Sequence, residues 1–78
     1  MDKNKAKAFI NHYPTWETFS AAVYSKEKAA KAVEALGELV GEDLKGIPTL
    51  IQQDKSPVAA AQYDHLQECY NQVREQPQ

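Results

Sequence analysis

Apolar residues recur at helical spacing through most of this chain. From Trp16 to Leu44 nearly all of them are three or four residues apart, which is the period of a helix buried on one side. This first stripe comprises Trp16, Phe19, Val23, Ala30, Val33, Gly37, Val40 and Leu44. A second stripe with the same spacing comprises Ala59, Tyr63, Leu66, Tyr70 and Val73. No segment of useful length alternates with a period of two, so the pattern predicts an all-α fold.

Proline and threonine mark the first two helices. Pro14 ends a first helix over about residues 2–12, because the residue before a proline is pushed out of the helical conformation. Thr15 is then suited to the N-cap of a second helix. Glu17 follows in the first turn, where the helix dipole favours a carboxylate. A helix is therefore expected to begin at about Trp16.

The middle of the chain can be divided in two ways. The first stripe is interrupted only at Lys26, and Ser25 beside it is a residue type suited to an N-cap. One long bent helix over residues 16–45 satisfies the spacing, and so do two helices over residues 16–24 and 26–45. We favour the second interpretation, with a break near Ser25.

Glycine, serine and proline mark the remaining helix ends. Gly46 is placed to adopt a left-handed conformation after the third helix, and the proline two positions later can open a short helix over about residues 48–53. Ser56 and Pro57 are the residue types favoured at the N-cap and first position of a last helix. The tail, residues 75–78, is expected to fray.

Short connections between amphipathic helices favour antiparallel neighbours. We therefore expect residues 1–78 to form one domain, a small antiparallel helical bundle of about four helices. The length of 78 residues fits a single domain, and 42% hydrophobic with 26% charged residues is ordinary globular usage. No apolar run reaches the roughly 18–20 residues of a membrane span, and the N-terminus lacks the apolar stretch of a secretory signal. A cytoplasmic protein with no membrane partner is expected.

The two halves of the chain carry opposite net charge. Residues 1–31 hold six lysines and three acidic residues, a balance of +3. Residues 32–78 hold three basic and eight acidic residues, a balance of −5, and the two sum to the overall −2. A chain polarised in this way can attract an oppositely charged patch on another copy or another protein.

The two glycines of the third helix allow two interpretations. Gly37 and Gly41 are four residues apart, and each costs about 1 kcal/mol relative to alanine inside a helix. Either they mark the close approach of another helix, or Gly41 ends the helix at Val40 and residues 42–46 form a separate turn. The spacing does not distinguish the two.

One pair of residues has the spacing of a reactive or metal-binding site. His65 and Cys69 are four positions apart and share one face of the last helix. A zinc site needs about four ligands, or three and a water. Only His12 adds an imidazole, and a carboxylate would have to complete the set. A cysteine nucleophile also needs a third group to orient the histidine. The sequence therefore predicts no catalytic residue, metal ligand or cofactor, and no enzyme.

Two groups of side chains are candidates for contact with a partner protein. Tyrosines on the second stripe offer apolar area with a polar tip, and acidic residues at four-residue intervals can steer association. The apolar candidates are Tyr63, Leu66 and Tyr70, and the steering candidates are Glu34, Glu38 and Glu42. The alternatives are that the tyrosines fill the core and that the glutamates form a solvated face.

The sequence favours a small non-enzymatic protein–protein interaction module, an adaptor, inhibitor or regulator of another protein. It can act as a monomer or as a homodimer. The alternative is a small nucleic-acid-associated regulator that uses the N-terminal lysines Lys3, Lys5 and Lys7, which precede several aromatic residues. An isoelectric point near 5.6 disfavours this alternative, because nucleic-acid-binding domains are typically basic.

Overall fold

The computed structural model describes residues 2–53 and 56–75, which form five α-helices and no strand. The helices are α1 (Lys3–Asn11), α2 (Trp16–Val23), α3 (Ala29–Val40), α4 (Ile47–Gln53) and α5 (Pro57–Glu75). They pack as a bundle, which confirms the predicted all-α class. None of the helices in these two ranges combines the length and the apolar character that crossing a membrane requires.

Side-chain caps fix the starts of α1 and α2. The Asp2 carboxylate accepts a hydrogen bond from the Lys5 main-chain N–H at 2.8 Å, so α1 begins one residue later than the sequence predicted. Thr15 accepts a bond from the Thr18 N–H at 3.3 Å and occupies the N-cap of α2, as predicted. These bonds satisfy main-chain donors that have no partner within the helix.

The predicted break near Ser25 is confirmed, but the predicted cap is wrong. Helix α2 ends at Val23 and α3 begins at Ala29. Lys28 holds the N-cap position of α3 and makes no capping bond with its side chain. Ser25 contributes its main-chain oxygen instead, which accepts a hydrogen bond from the Ala29 N–H at 2.9 Å.

The end of α3 differs from the prediction of a helix continuing to residue 45. Gly41 has a φ of +76°, so the helix stops at Val40. The N–H groups of Gly41 and Glu42 both donate to the Gly37 oxygen, at 2.7 and 3.1 Å. This is the hydrogen bonding of a helix that ends on a left-handed glycine. Gly46 has no positive φ, so the left-handed glycine predicted there is wrong.

The last two helices start close to the predicted positions. Helix α4 begins at Ile47, one residue before the expected start. Helix α5 begins at Pro57, and the Ser56 hydroxyl accepts a hydrogen bond from the Ala59 N–H at 3.3 Å, as a capping serine should. Residues 76–78 of the tail that was expected to fray lie outside the described residues.

The core lies between α3 and the helices around it. The largest fully buried side chains are Phe19, Ile10, Leu36, Leu66, Val23 and Val33. Tyr70 is also buried, its ring centroid is 5.1 Å from that of Phe19, and its hydroxyl donates a hydrogen bond to the Tyr13 main-chain oxygen. Helix α5 is thereby fixed against the α1–α2 connection, and its other faces carry the candidate sites.

Candidate functional site

Two surface regions bring distinctive side chains together. The first is the cluster of Glu42, His65 and Cys69, where the turn after α3 meets α5. The second is an apolar groove beside Tyr24 and Tyr63. On α5, Tyr63 and His65 are two residues apart and therefore point about 200° apart around the helix. The two regions consequently face different directions.

The turn that ends α3 positions Glu42. The left-handed Gly41 reverses the chain, so Glu42 folds back over the last turn of the helix instead of continuing it. Its main-chain oxygen lies so close to Gly37 that it would clash with a Cβ there. Gly37 therefore allows the main chain to pack closely here, and the segment that packs against it is the turn after α3, not another helix. Of the two interpretations of these glycines, the separate turn after Val40 is confirmed.

The three side chains of the cluster contact one another. The Glu42 Oε1 atom lies 3.1 Å from the His65 Nε2 atom, and the Cys69 thiol donates to Glu42 Oε2 at 3.5 Å. The third side of the triangle, from Cys69 Sγ to His65 Nε2, is 3.7 Å. Cys69 is buried beneath the other two, and the side chains of His65 and Glu42 are 42% and 47% exposed. The cluster is therefore closed on the protein side and open to solvent.

The surroundings of Cys69 keep its thiol protonated. Burial raises its pKa from 9.0 to about 11, and the hydrogen bond to Glu42 and the negative charges of Glu42 and Glu68 act in the same direction. A thiolate, the nucleophilic form of cysteine, is therefore disfavoured at neutral pH.

The geometry of the cluster also differs from that of a nucleophilic relay. In a relay, the histidine faces the nucleophile with one ring nitrogen and the acidic residue with the other. Here Glu42 and Cys69 both approach Nε2 of His65. The three groups converge on one point instead of forming a chain, which is the arrangement of ligands around a shared centre.

The apolar groove lies between the α2–α3 connection, α4 and α5, with a volume of about 600 Å³. Ile51, Ala59 and Tyr63 contribute apolar lining, and the ring of Tyr24 stands beside Tyr63 with centroids 6.1 Å apart. Tyr24 is 50% exposed, although it is a large aromatic residue. Lys26 and Asp64 line the same groove from the connection and from α5. The region thus combines apolar area with one charge of each sign.

The three predicted apolar contact residues lie in different environments. Leu66 and Tyr70 are buried in the core, at 0% and 2% exposure, so their side chains already contact other helices. Tyr63 is half-buried, lines the groove, and shares a hydrogen bond of 2.8 Å with the Ser20 hydroxyl. Of this set, Tyr63 alone offers area to a partner of the folded chain.

The three predicted steering residues line one cleft but do not form one helical ridge. Glu34 and Glu38 lie on α3, whereas Glu42 lies in the turn beyond Gly41. The four-residue spacing placed all three on one face of one helix, and that placement is wrong because α3 ends at Val40, before Glu42. Glu42 contacts His65, a partner that the helical spacing did not indicate.

The N-terminal lysines lie on α1 and are exposed, but the aromatic rings near them are partly buried. Phe9, Tyr13 and Trp16 pack against the core cluster. Base stacking requires an accessible ring face, so these aromatic residues add little to the nucleic-acid interpretation.

Comparison of the chain with protein-family models, with curated proteins and with solved structures gave no match.

Proposed function

We propose that this chain is a small non-enzymatic protein–protein interaction module that associates through the Tyr24–Tyr63 groove. The observation that carries the proposal is the half-exposed ring of Tyr24 beside an apolar groove, where it is the one exposed aromatic side chain among the described residues. Tyrosine is enriched at interfaces because it combines apolar area with a polar tip.

The floor of the groove is held in place by neighbouring helices. The Gln52 side-chain amide donates to the Val23 main-chain oxygen at 3.0 Å and ties α4 to the end of α2. Tyr63 is fixed by Ser20 and by the Trp16 ring, whose centroid is 5.3 Å away. A preformed surface loses little conformational entropy when a partner binds, which supports a docking role.

The charges around the groove favour a second copy of the chain as its occupant. Lys26 and Asp64 come from different elements and line the same groove. A two-fold axis that passes between Lys26 and Asp64 would bring Lys26 of each copy towards Asp64 of the other, and such self-complementarity is what an isologous interface needs. A homodimer is therefore the form of the module to test first.

Solution mass at increasing protein concentration, at low and high salt, tests the proposal. We expect a dimer that persists in high salt, because its centre is apolar. Tyr24→Ser should weaken dimerisation at least tenfold, as loss of a central aromatic contact does. Val58→Ser is the matched control, since Val58 is 61% exposed and lies about 140° around α5 from Tyr63. Equal dimerisation of the wild type and Tyr24→Ser would contradict the assignment.

Charge exchange tests the pairing of Lys26 with Asp64 more sharply. Lys26→Glu and Asp64→Lys should each place like charges against one another and weaken the homodimer. An equimolar mixture of the two variants should dimerise again, because both contacts of the mixed dimer then join opposite charges. A contact within one chain would not produce this recovery.

A wild type that stays monomeric at every concentration would overturn the second copy as occupant. Association that appears only with nucleic acid and falls steeply with salt would favour that partner instead.

A further inference from the structure

We propose that Glu42, His65 and Cys69 form a three-ligand site for Zn²⁺, with a fourth coordination position open to solvent. The three residues come from two parts of the fold, the turn after α3 and one face of α5. One ligand atom of each side chain lies within 4.8 Å of the ligand atoms of the other two.

The separations fit a tetrahedral metal ion. Zinc lies about 2.3 Å from sulfur, about 2.0–2.1 Å from nitrogen and about 2.0–2.2 Å from oxygen, so tetrahedral ligands are roughly 3.3–3.6 Å apart. The contacts of Glu42 with His65 and Cys69, at 3.1 and 3.5 Å, use different oxygens of its carboxylate, and Cys69 Sγ lies 3.7 Å from His65 Nε2. With one Glu42 oxygen as the ligand, the three ligand atoms lie within 4.8 Å of one another. A rotation that brings this oxygen closer to the other two atoms would place all three around one ion.

The donor set selects the class of metal. Thiolate and imidazole ligands suit zinc and similar transition metals, whereas calcium and magnesium are held by oxygen ligands. Zinc is held in proteins by cysteine sulfur, histidine nitrogen and the carboxylate oxygens of aspartate and glutamate. Cys69, His65 and Glu42 supply one donor of each kind, which favours zinc.

The site is firmly held on one side and accessible on the other. His65 and Cys69 occupy successive turns of α5, and Glu42 is held by the Gly41 turn packed over Gly37. A cleft of about 620 Å³ opens beside Glu42 and His65. Solvent can reach the fourth position through this cleft, as in zinc sites that keep three protein ligands and one water.

Binding requires one change of protonation. The Cys69 proton, now shared with Glu42 in a hydrogen bond, passes to the buffer as the bond from zinc to sulfur forms. His65 offers the lone pair of Nε2 in its neutral form, and Glu42 is released from the thiol to bind the ion.

Cobalt is the probe of choice, because Co²⁺ replaces Zn²⁺ and absorbs light when bound to thiolate. The full-length chain is reduced, freed of metal with a chelator and titrated with Co²⁺. We expect one equivalent to bind, with a thiolate-to-cobalt charge-transfer band that Zn²⁺ abolishes by displacement. Zn²⁺ should also raise the melting temperature, since a ligand of the native state stabilises it.

Three substitutions identify the ligands. Cys69→Ser should remove the charge-transfer band. His65→Gln and Glu42→Gln should weaken binding by more than the roughly 10–100-fold that loss of an outer-shell partner costs. These two residues are half-exposed, so their variants test the site even where the substitution of buried Cys69 disturbs folding. His12→Gln and Glu38→Gln are matched controls at exposed positions and should bind as the wild type does.

Two results would overturn the proposal. One is the absence of a charge-transfer band at saturating Co²⁺ in the reduced protein. The other is binding that His65→Gln and Glu42→Gln leave unchanged, which would place the ion on surface carboxylates elsewhere. Neither result bears on the Tyr24–Tyr63 groove, because the two regions share no residue.

Discussion

The main-chain oxygen of Glu42 packs so closely against Gly37 that a Cβ at this position would clash with it. This contact joins the last turn of α3 to the residue that reaches His65, so the glycine supports both the fold and the cluster. Alanine normally stabilises a helix interior by about 1 kcal/mol relative to glycine. At position 37 the added methyl group must instead displace main-chain atoms.

Gly37→Ala should therefore destabilise the protein, by about 1–3 kcal/mol, as overpacking does. Urea unfolding of the variant and the wild type measures the difference. Gly46→Ala is the control, because a Cβ at Gly46 meets nothing within 4 Å and its φ is not positive; we expect a change within about 0.5 kcal/mol. A Gly37→Ala protein more stable than the wild type would show that Glu42 does not pack over the helix.

Gly41→Ala tests the left-handed turn itself. With φ at +76°, an alanine there should cost about 1–2 kcal/mol, because its Cβ crowds the following carbonyl oxygen. Asparagine tolerates this conformation better than alanine, so Gly41→Asn should cost less. Unfolding free energies of the two variants should fall in that order, and the reverse order would place the end of α3 elsewhere.

The helix boundaries that could be predicted were those with distinctive local chemistry. Pro14, Thr15, Ser56 and Pro57 each favour one position at a helix end, and the structure places them there. Gly41 and Gly46 are both suited to ending α3 by their residue type. Which of the two glycines ends α3 depends on how closely the following turn packs over Gly37. The spacing of apolar residues gives no indication of this packing.

The candidate site could be predicted only in part for the same reason. His65 and Cys69 share a helical face, so their spacing brings them together. Glu42 is 23 residues away from His65 in sequence, and its position depends on where α3 ends. Once Gly41 is placed as the end, Glu42 no longer belongs to an acidic ridge with Glu38, and a contact with α5 becomes possible.

Leu66→Ala distinguishes a core residue from a contact residue. The apolar spacing of α5 predicted that Leu66 is buried, either in the core or against a partner protein. In the structure it is completely buried within its own chain. Truncation should cost about 2–5 kcal/mol, through lost apolar contact and the cavity that remains. Thermal or urea unfolding of dilute protein measures this cost. Val58→Ala, at a site that is 61% exposed, should change stability by less than about 0.5 kcal/mol.

Tyr70→Phe tests the link between α5 and the α1–α2 connection. The substitution keeps the ring among Phe19 and Trp16 but removes the hydroxyl that donates to the Tyr13 oxygen. Loss of one such hydrogen bond should cost about 0.5–1.5 kcal/mol in unfolding free energy. Tyr24→Phe, at a half-exposed ring, serves as the control and should be close to neutral. Equal stability of both variants would mean that the Tyr13 contact contributes nothing.

The environment of Cys69 should make stability fall at alkaline pH in the metal-free protein. Burial, helped by Glu42 and Glu68, raises the pKa of the thiol from 9.0 to about 11. The folded state thus holds the proton more tightly than the unfolded state does. The stabilisation is complete below pH 9 and is lost progressively as the pH rises from 9 towards 11.

Unfolding free energies of the wild type and Cys69→Ser, measured with chelator present, isolate this effect. Burial also raises the pKa of the Tyr70 hydroxyl, but Tyr70 and the other titrating side chains are common to both proteins. The unfolding free energy of the wild type minus that of Cys69→Ser should therefore be constant below pH 9. It should decrease above pH 9, because only the wild type has a thiol proton to lose. A difference that stays constant up to pH 11 would show that Glu42 and burial do not hold the Cys69 proton.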